Sequence, residues 1–284
     1  MGLGGYLTWT AVAREIKNRI GVKCIPIEQS GNGIIKIIKS EIFANNPNII
    51  QSISDSEFAL PITLNNPNTN YCKKDTPEKA YHRYDKHIVE QICESYGFTP
   101  SSTKPDLYFT EEEVSYVESI LTKNKIYDKN FLVIEPQSNN EYTVNKVYPL
   151  EKWQKVVDDL WKNYIIVQIG KENKQKVLKN VINLTGLTTF RQAACLLSYS
   201  KLFISSEGGL MHAARAVNTK SVIVYTGFIH PRMTGYEENI NLWIGEAHGP
   251  CGMKIICEKC LNDSNRHNPE EIIKIVRKVI DQNE

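Results

Sequence analysis

No stretch of this chain stays apolar long enough to span a bilayer, and the opening residues MGLGGYLTWT lack a basic segment followed by an apolar one. Both absences predict a protein that stays in the cytosol and meets a membrane only peripherally. Charge of one sign is also lacking: 34 Lys and Arg stand against 32 Asp and Glu, scattered along the chain, which removes the electrostatic case for nucleic acid. Four of the seven cysteines, Cys24, Cys72, Cys93 and Cys195, lie far apart and read as small buried hydrophobes, which excludes a disulfide scaffold. The run GLGG lacks the third glycine of a dinucleotide loop, where Leu7 stands instead. No strand precedes that run, since Met1 abuts Gly2, and the nearest acidic residue that could hold a ribose is Glu28. A nicotinamide-dependent oxidoreductase is therefore disfavoured.

What the chain does have is 284 residues, 41% hydrophobic and 23% charged, enough to bury a core and to divide in two. Residues 2–21 read as a glycine loop and an amphipathic helix, and Val22–Ile27 as a strand. Residues 45–74, rich in Asn, Pro and Ser, read as loops and irregular strands. Helices are expected over Tyr81–Tyr96 and over Thr110–Leu121, the second capped by Thr110 with Glu113 three residues on. The polar piece TKNKIYDKN, residues 122–130, reads as a linker, giving an N-terminal α/β domain over 1–125 and a C-terminal one over 126–284. Beyond it, strands at 131–134, 165–169, 202–205 and 222–225 alternate with helices at 150–161, 190–197 and 269–281. That alternation predicts an α/β fold with a parallel, doubly wound sheet.

The most informative segment is LFISSEGGLMHAARAVNTKSVIVY, residues 202–225, which reads as strand, glycine turn, helix start, short helix, strand. Glycines let the backbone approach a ligand closely, and the first N–H groups of a helix, with its macrodipole, favour an anion. His212 and Glu207 flank that turn.

Glu207, Gly208, Gly209, Leu210, Met211 and His212 fill the places of the C-terminal signature of glycosyltransferase family 9, the bacterial heptosyltransferases, which this segment resembles. MGLGGYLTWT resembles the family's N-terminal GxGD loop, FLVIEPQSNNEYTVNKVYPLEKW its strand, polar loop, lysine and helix, and NLTGLTTFRQAACLL the piece before the signature. The resemblance implies two Rossmann-like domains facing across a cleft, the GT-B arrangement. It also implies an inverting, metal-independent transfer of a heptose or related sugar from a nucleotide diphosphate donor, with no cofactor, to a glycan or lipid-linked acceptor of lipopolysaccharide or capsule synthesis. On this resemblance, Ser138, Asn139, Lys146, Gly208, Gly209 and Leu210 meet the diphosphate, and Glu172 and Thr188 meet ribose and base. Glu207 joins the donor-binding set, Lys146 and His212 stabilise the leaving group, and Gly2, Gly4 and Gly5 form an acceptor-side loop. His212 either bonds the diphosphate or braces the turn.

Two departures follow. The aspartate that serves as the family's proposed base falls at Gly5, which leaves Asp85 or Glu28 as candidate bases. The signature's aspartate is Glu207 and its hydroxyl residue Gly208, so donor choice can differ. The missing base keeps open a second reading, a noncatalytic nucleotide-sugar-binding or scaffold protein derived from a transferase. Finally, CGMKIICEKC carries Cys251, Cys257 and Cys260 with His248 and His267 nearby. A CxxC is an element of zinc sites, but one CxxC rather than two favours free thiols, and no metal is expected.

Overall fold

The computed structural model describes residues 2–30, 32–53, 58–64, 76–126, 130–137, 142–171 and 176–282. Helix α1 (Leu3–Ile20) begins directly after Gly2 and ends at Gly21, whose φ of +73° is the left-handed geometry that closes a helix. The expected glycine loop is thus almost all helix, with Gly4 and Gly5 in the first turn. Leu7, Trp9, Ala11, Val12 and Ala13 are all fully buried, so α1 is a central helix covered on every side. It is followed by β1 (Lys23–Gln29), which pairs antiparallel with β2 (Ile35–Ile37) and parallel with β3 (Ala59–Thr63) in a sheet of order β2-β1-β3.

The helix expected over Tyr81–Tyr96 is shorter: α2 covers Ile88–Ser95. His87 and Glu90 form a capping box that fixes its start. Upstream, the Ala80 N–H donates to the Gly252 carbonyl, and the Gln91 side chain donates to the carbonyls of Arg83 and Lys86, so this backbone is bonded elsewhere. Helix α3 (Glu111–Lys123) starts at the expected Thr110–Glu113 capping box.

The C-terminal part builds one six-stranded sheet from β4 (Phe131–Glu135), β5 (Ile165–Gln168), β6 (Ile182–Asn183), β7 (Leu202–Ser206), β8 (Ser221–Tyr225) and β9 (Ile240–Trp243). Every pairing is parallel, in the order β6-β5-β4-β7-β8-β9. Alternate residues of its central strands serve opposite faces. Leu132, Ile134, Leu202, Ile204, Val222 and Val224 pack against α4 (Leu150–Leu160) and α9 (Glu270–Asp281). Phe131, Val133, Phe203, Ile223 and Tyr225 belong to the core shared with α5 (Phe190–Tyr199) and α6 (Gly209–Ala216). Strands covered on both faces explain the near-continuous apolar runs in the sequence. Short helices α7 (Pro231–Thr234) and α8 (Glu258–Arg266) complete the chain. Among the described residues, no helix is long and apolar enough to cross a membrane.

The second face of the sheet does not end at α5 and α6. Residues of α1, α2 and α3 belong to the same hydrophobic core, so the N-terminal helices lie on the helical layer of the large sheet. Arg191 of α5, 3% exposed, fixes this junction: it pairs with Glu113 of α3 and donates to the carbonyls of Glu41 and Tyr108. Four acceptors around one planar cation give it the partners that a buried guanidinium requires.

The tightest approach between the two parts is at Gly4 and Gly209. A Cβ at Gly4 would stand 2.9 Å from the Gly209 Cα and 3.1 Å from His212 Cδ2, whereas one at Gly2 would meet nothing within 4 Å. Gly4→Ala is expected to lower stability by roughly 1–3 kcal/mol, as overpacking does, while Gly2→Ala costs only the few tenths of a kcal/mol by which alanine is the poorer N-cap. Thermal unfolding of both variants checks this, and equal melting temperatures would contradict the contact.

Candidate functional site

Reading outward from β4, the strand order of the large sheet is 3-2-1-4-5-6, and the connections leaving β4 and β7 run to opposite faces. Open sheets of this kind bind ligands in the crevice outside the carboxyl ends of those two strands, because there the following loops part. Glu135 ends β4 and is paired in register with Ser205 of β7. Glu207 and Gly208 lie just beyond, at the turn into α6.

That turn is built to leave donors free. Gly208 is the N-cap of α6 and supplies no side-chain acceptor, as at the starts of α4, α8 and α9, whereas α2, α3 and α5 are closed by capping boxes at His87, Thr110 and Thr189. Gly2, the N-cap of α1, is equally bare, and the Gly4–Gly209 contact brings the two helix starts together. Two uncapped N-termini side by side concentrate partial positive charge in one place.

Lys146 adds a full charge. It ends a single 3-10 turn, Val144–Lys146, held by the Thr143 hydroxyl accepting from the Asn145 N–H, and its Nζ lies 3.8 Å from Glu207 Oε2. Lys146 and Glu207 side chains are 15% and 12% exposed, so the pair is largely shielded from water.

His212 sits one turn into α6, buried, with Nδ1 2.6 Å from the Tyr236 hydroxyl. Burial, with His87 and Lys146 adding like charge, pulls its pKa down to about 3. It is therefore a neutral imidazole at pH 7. Both groups are satisfied when the buried tyrosine donates to Nδ1, which puts the ring proton on Nε2. His212 then offers an N–H rather than a base. His87 also packs against Tyr236, its ring tilted by 45° with centroids 5.1 Å apart, and burial lowers its pKa to about 4.

The structure thus brings together Lys146, Glu207, Gly208, Gly209, Leu210, His212, Gly2, Gly4 and Gly5 around two helix starts. Ser138, Asn139 and Glu172 lie outside the described residues. Thr188 is partly exposed in the loop between β6 and α5, beside the N-cap Thr189. Asp85 stands apart: it is half exposed and held by Arg83 through Nε–Oδ1 and Nη2–Oδ2 contacts of 2.9 and 2.6 Å. The hydrogen bonds from Arg83 lower its pKa, which makes it a poor proton acceptor. Glu28, at the carboxyl end of β1, lines a cavity of about 440 Å³ with Tyr6, Lys36, Ile37, Ile38 and Lys39. Burial and the Glu28 charge together raise the Tyr6 pKa, and Tyr6 adjoins Gly5 on α1.

Sequence reasoning passed over Glu135, although a lone carboxylate closing the apolar run FLVIE was a visible signal. Its side chain is buried, and Oε2 has no hydrogen-bond partner among the described residues. Burial pushes its pKa up to about 8, against the opposing pull of Lys146. Tyr236 and His87 were also missed, and no local pattern marks them.

Glu135 takes up a proton on folding between its ordinary pKa of 4.5 and about 8, so its contribution to stability is present at low pH and is lost as pH rises through that window. Glu135→Gln, which cannot ionise, is expected to gain stability relative to the parent protein from pH 5 to pH 8. Denaturant unfolding across that range checks this; a difference that does not grow with pH would mean that Glu135 is ionised and paired in the folded state.

The model of glycosyltransferase family 9 (heptosyltransferase) matches residues 64–261. No curated protein matches the sequence. Among solved structures, E. coli ADP-heptose lps heptosyltransferase II is 19% identical with a TM-score of 0.53; the match covers 70% of this chain and 63% of that one. E. coli heptosyltransferase WaaC with ADP is 12% identical over 98% of this chain and 97% of that one, TM-score 0.58. The dodecameric iron-containing heptosyltransferase TibC, from enterotoxigenic E. coli, in complex with ADP-D-beta-D-heptose, is 14% identical over 98% of this chain and 74% of that one, TM-score 0.63. These likenesses establish the α/β, GT-B-like fold, and with most of its length matched by the family model, the chain belongs to glycosyltransferase family 9.

Proposed function

We propose that the protein transfers a heptose or closely related sugar from a nucleoside diphosphate donor, ADP-heptose being the first candidate, to a hydroxyl of a bacterial surface-glycan precursor. The observation that carries this is the pair of uncapped helix starts at the switch point of the sheet, with Lys146 beside them. The solved relatives holding ADP and ADP-heptose supply the choice of donor. In this reading residues 1–125 serve the acceptor and residues 126–284 the donor, and the enzyme works in the cytosol with at most peripheral membrane contact.

The chemistry follows from charge. As the bond between the anomeric carbon and the diphosphate oxygen breaks, its electron pair goes to the diphosphate, where negative charge grows. Lys146, the N–H groups of Gly208, Gly209 and Leu210, and the Nε2–H of His212 meet that charge. The acceptor oxygen forms the new bond on the opposite face of the sugar, inverting it, and its proton passes to a carboxylate. Gly5 cannot take it. Glu28 is the better placed alternative to Asp85, since it lines a cavity with Tyr6, the neighbour of Gly5, and is not tied into the Arg83 ion pair. No step of this proposal is routed through a metal ion, although TibC is an iron-containing relative.

Calorimetry with ADP, GDP, UDP and CMP is the direct test. Selective ADP binding is expected, and Lys146→Ala should weaken it by roughly 1.5–3 kcal/mol, about ten- to a hundredfold in Kd. Affinity unchanged by that variant would remove Lys146 from the site. For the base, Glu28→Gln is expected to lower kcat by about 10²–10⁴ with ADP affinity intact, while Asp85→Asn is silent. Donor binding without transfer to any glycan acceptor would favour the noncatalytic reading, which the glycine at position 5 motivates.

A further inference from the structure

Outside the cleft, three cysteines converge. Cys257 is the N-cap of α8, Cys260 lies in the first turn of that helix, and Cys251 comes from the loop after β9. Their sulfurs all lie within 4.8 Å of one another, and Cys251 Sγ and Cys260 Sγ are 3.4 Å apart. Three thiolates bound at about 2.3 Å to a tetrahedral ion stand about 3.8 Å from one another, so the cluster needs little adjustment to close on a metal. Gly227 keeps the space open, because a Cβ there would stand 2.9 Å from Cys260 Sγ.

Two histidines lie near in sequence, and the structure separates them. His267 has Nδ1 at 2.8 Å from the Tyr148 hydroxyl and Nε2 at 3.2 Å from Glu271, so both ring nitrogens are engaged. His248 has only Nε2 engaged, 3.7 Å from Asp263 Oδ1, and is 44% exposed. Asp263 sits on α8 one turn after Cys260, and its Oδ2 is buried with no hydrogen-bond partner among the described residues. Oδ2 lies 3.9 Å from the Cβ position of Gly227 that Cys260 Sγ also flanks. A carboxylate behind an imidazole is the usual support of a metal-ligating histidine, since it orients the ring and raises its basicity.

We infer that Cys251, Cys257 and Cys260 form the thiolate core of a structural site for a thiophilic transition-metal ion, and that His248, which lies outside the three-sulfur cluster and is held by Asp263, turns in as the fourth ligand. Three thiolates and an imidazole suit a closed tetrahedral zinc site, and ferrous iron satisfies the same donor set. The site's place in the fold gives it a task. The loop between Cys251 and Cys257 is gripped by Asn145, whose Nδ2 donates to the carbonyls of Met253 and Ile255 at 2.7 and 2.6 Å and whose Oδ1 accepts from the Cys257 N–H. Asn145 immediately precedes Lys146. The same loop also holds the N-terminal part, through Ala80 N–H to the Gly252 carbonyl and Lys254 N–H to the Glu78 carbonyl. A metal ion would lock this strap and, through Asn145, the position of Lys146; that last consequence rests on the donor site proposed above.

The test is elemental analysis of the full chain purified under reducing conditions without affinity metal, read for zinc and iron. About one ion per chain is expected, lost in the Cys257→Ser/Cys260→Ser variant. Should that variant fail to fold, the parent protein is stripped with a chelator and titrated with Co²⁺. Thiolate-to-cobalt charge-transfer absorption saturating at one equivalent, with a rise in melting temperature on Zn²⁺ addition, supports the site. His248→Ala should keep the thiolate absorption but alter the cobalt ligand-field bands. A metal-free protein whose thermal unfolding is indifferent to Zn²⁺ and whose cobalt spectrum shows no thiolate bands would overturn the proposal, as would a Cys251–Cys260 disulfide in the purified chain. None of these readouts depends on nucleotide binding, so this site and the donor site fail separately.

Discussion

Two helices begin against each other at Gly4 and Gly209, and the geometry of the cleft depends on that contact. Neither helix start carries a side-chain cap, and Gly4 lets the Gly209 backbone come closer than an alanine would allow. The first N–H groups of both helices, without side-chain caps, converge here, and together with the helix dipoles they favour an anion. Lys146, paired with Glu207, stands beside them in the proposed donor site.

The surrounding core makes this contact rigid. Helix α1 is covered on all sides, and Arg191 ties α5 to α3 and to the carbonyls of Glu41 and Tyr108. His212 of α6, Tyr236 and His87 form a buried cluster of neutral rings in edge-on and tilted contact, and burial lowers the pKa values of both histidines. Because these rings hold no charge at neutral pH, they add nothing to Lys146, whose own charge is countered by Glu207 at 3.8 Å. The raised pKa of Glu135 leaves Glu207 as the carboxylate that faces the lysine.

Much of this was legible in the sequence, and for definite reasons. The strands of the large sheet are buried on both faces, so they stand out as apolar runs, and Thr110 with Glu113 announced α3 through a local rule. The glycine turn at residues 208–209 and the helix after it could be read for the same reason. What escaped were features decided by distant partners. Residues 81–87 have helical character in isolation, yet Ala80 just before them is bonded to Gly252 and the carbonyls of Arg83 and Lys86 accept from the Gln91 side chain, so the helix waits for the His87 cap. The pairing of Tyr236 with His212 joins residues 24 positions apart, and nothing local foretells it. The cysteines were visible as a CxxC with a third partner, but only the fold decides between the two histidines beside them.

The central claim is that the donor's diphosphate lies where α1 and α6 begin, and a crystal structure with ADP tests it most directly. Phosphate oxygens are expected within hydrogen-bond distance of Lys146 Nζ, of the backbone N–H groups of Gly209 and Leu210, and of His212 Nε2. ADP seated elsewhere, such as in the cavity bounded by Trp161, Tyr164 and Val181 at the opposite end of the sheet, would contradict it.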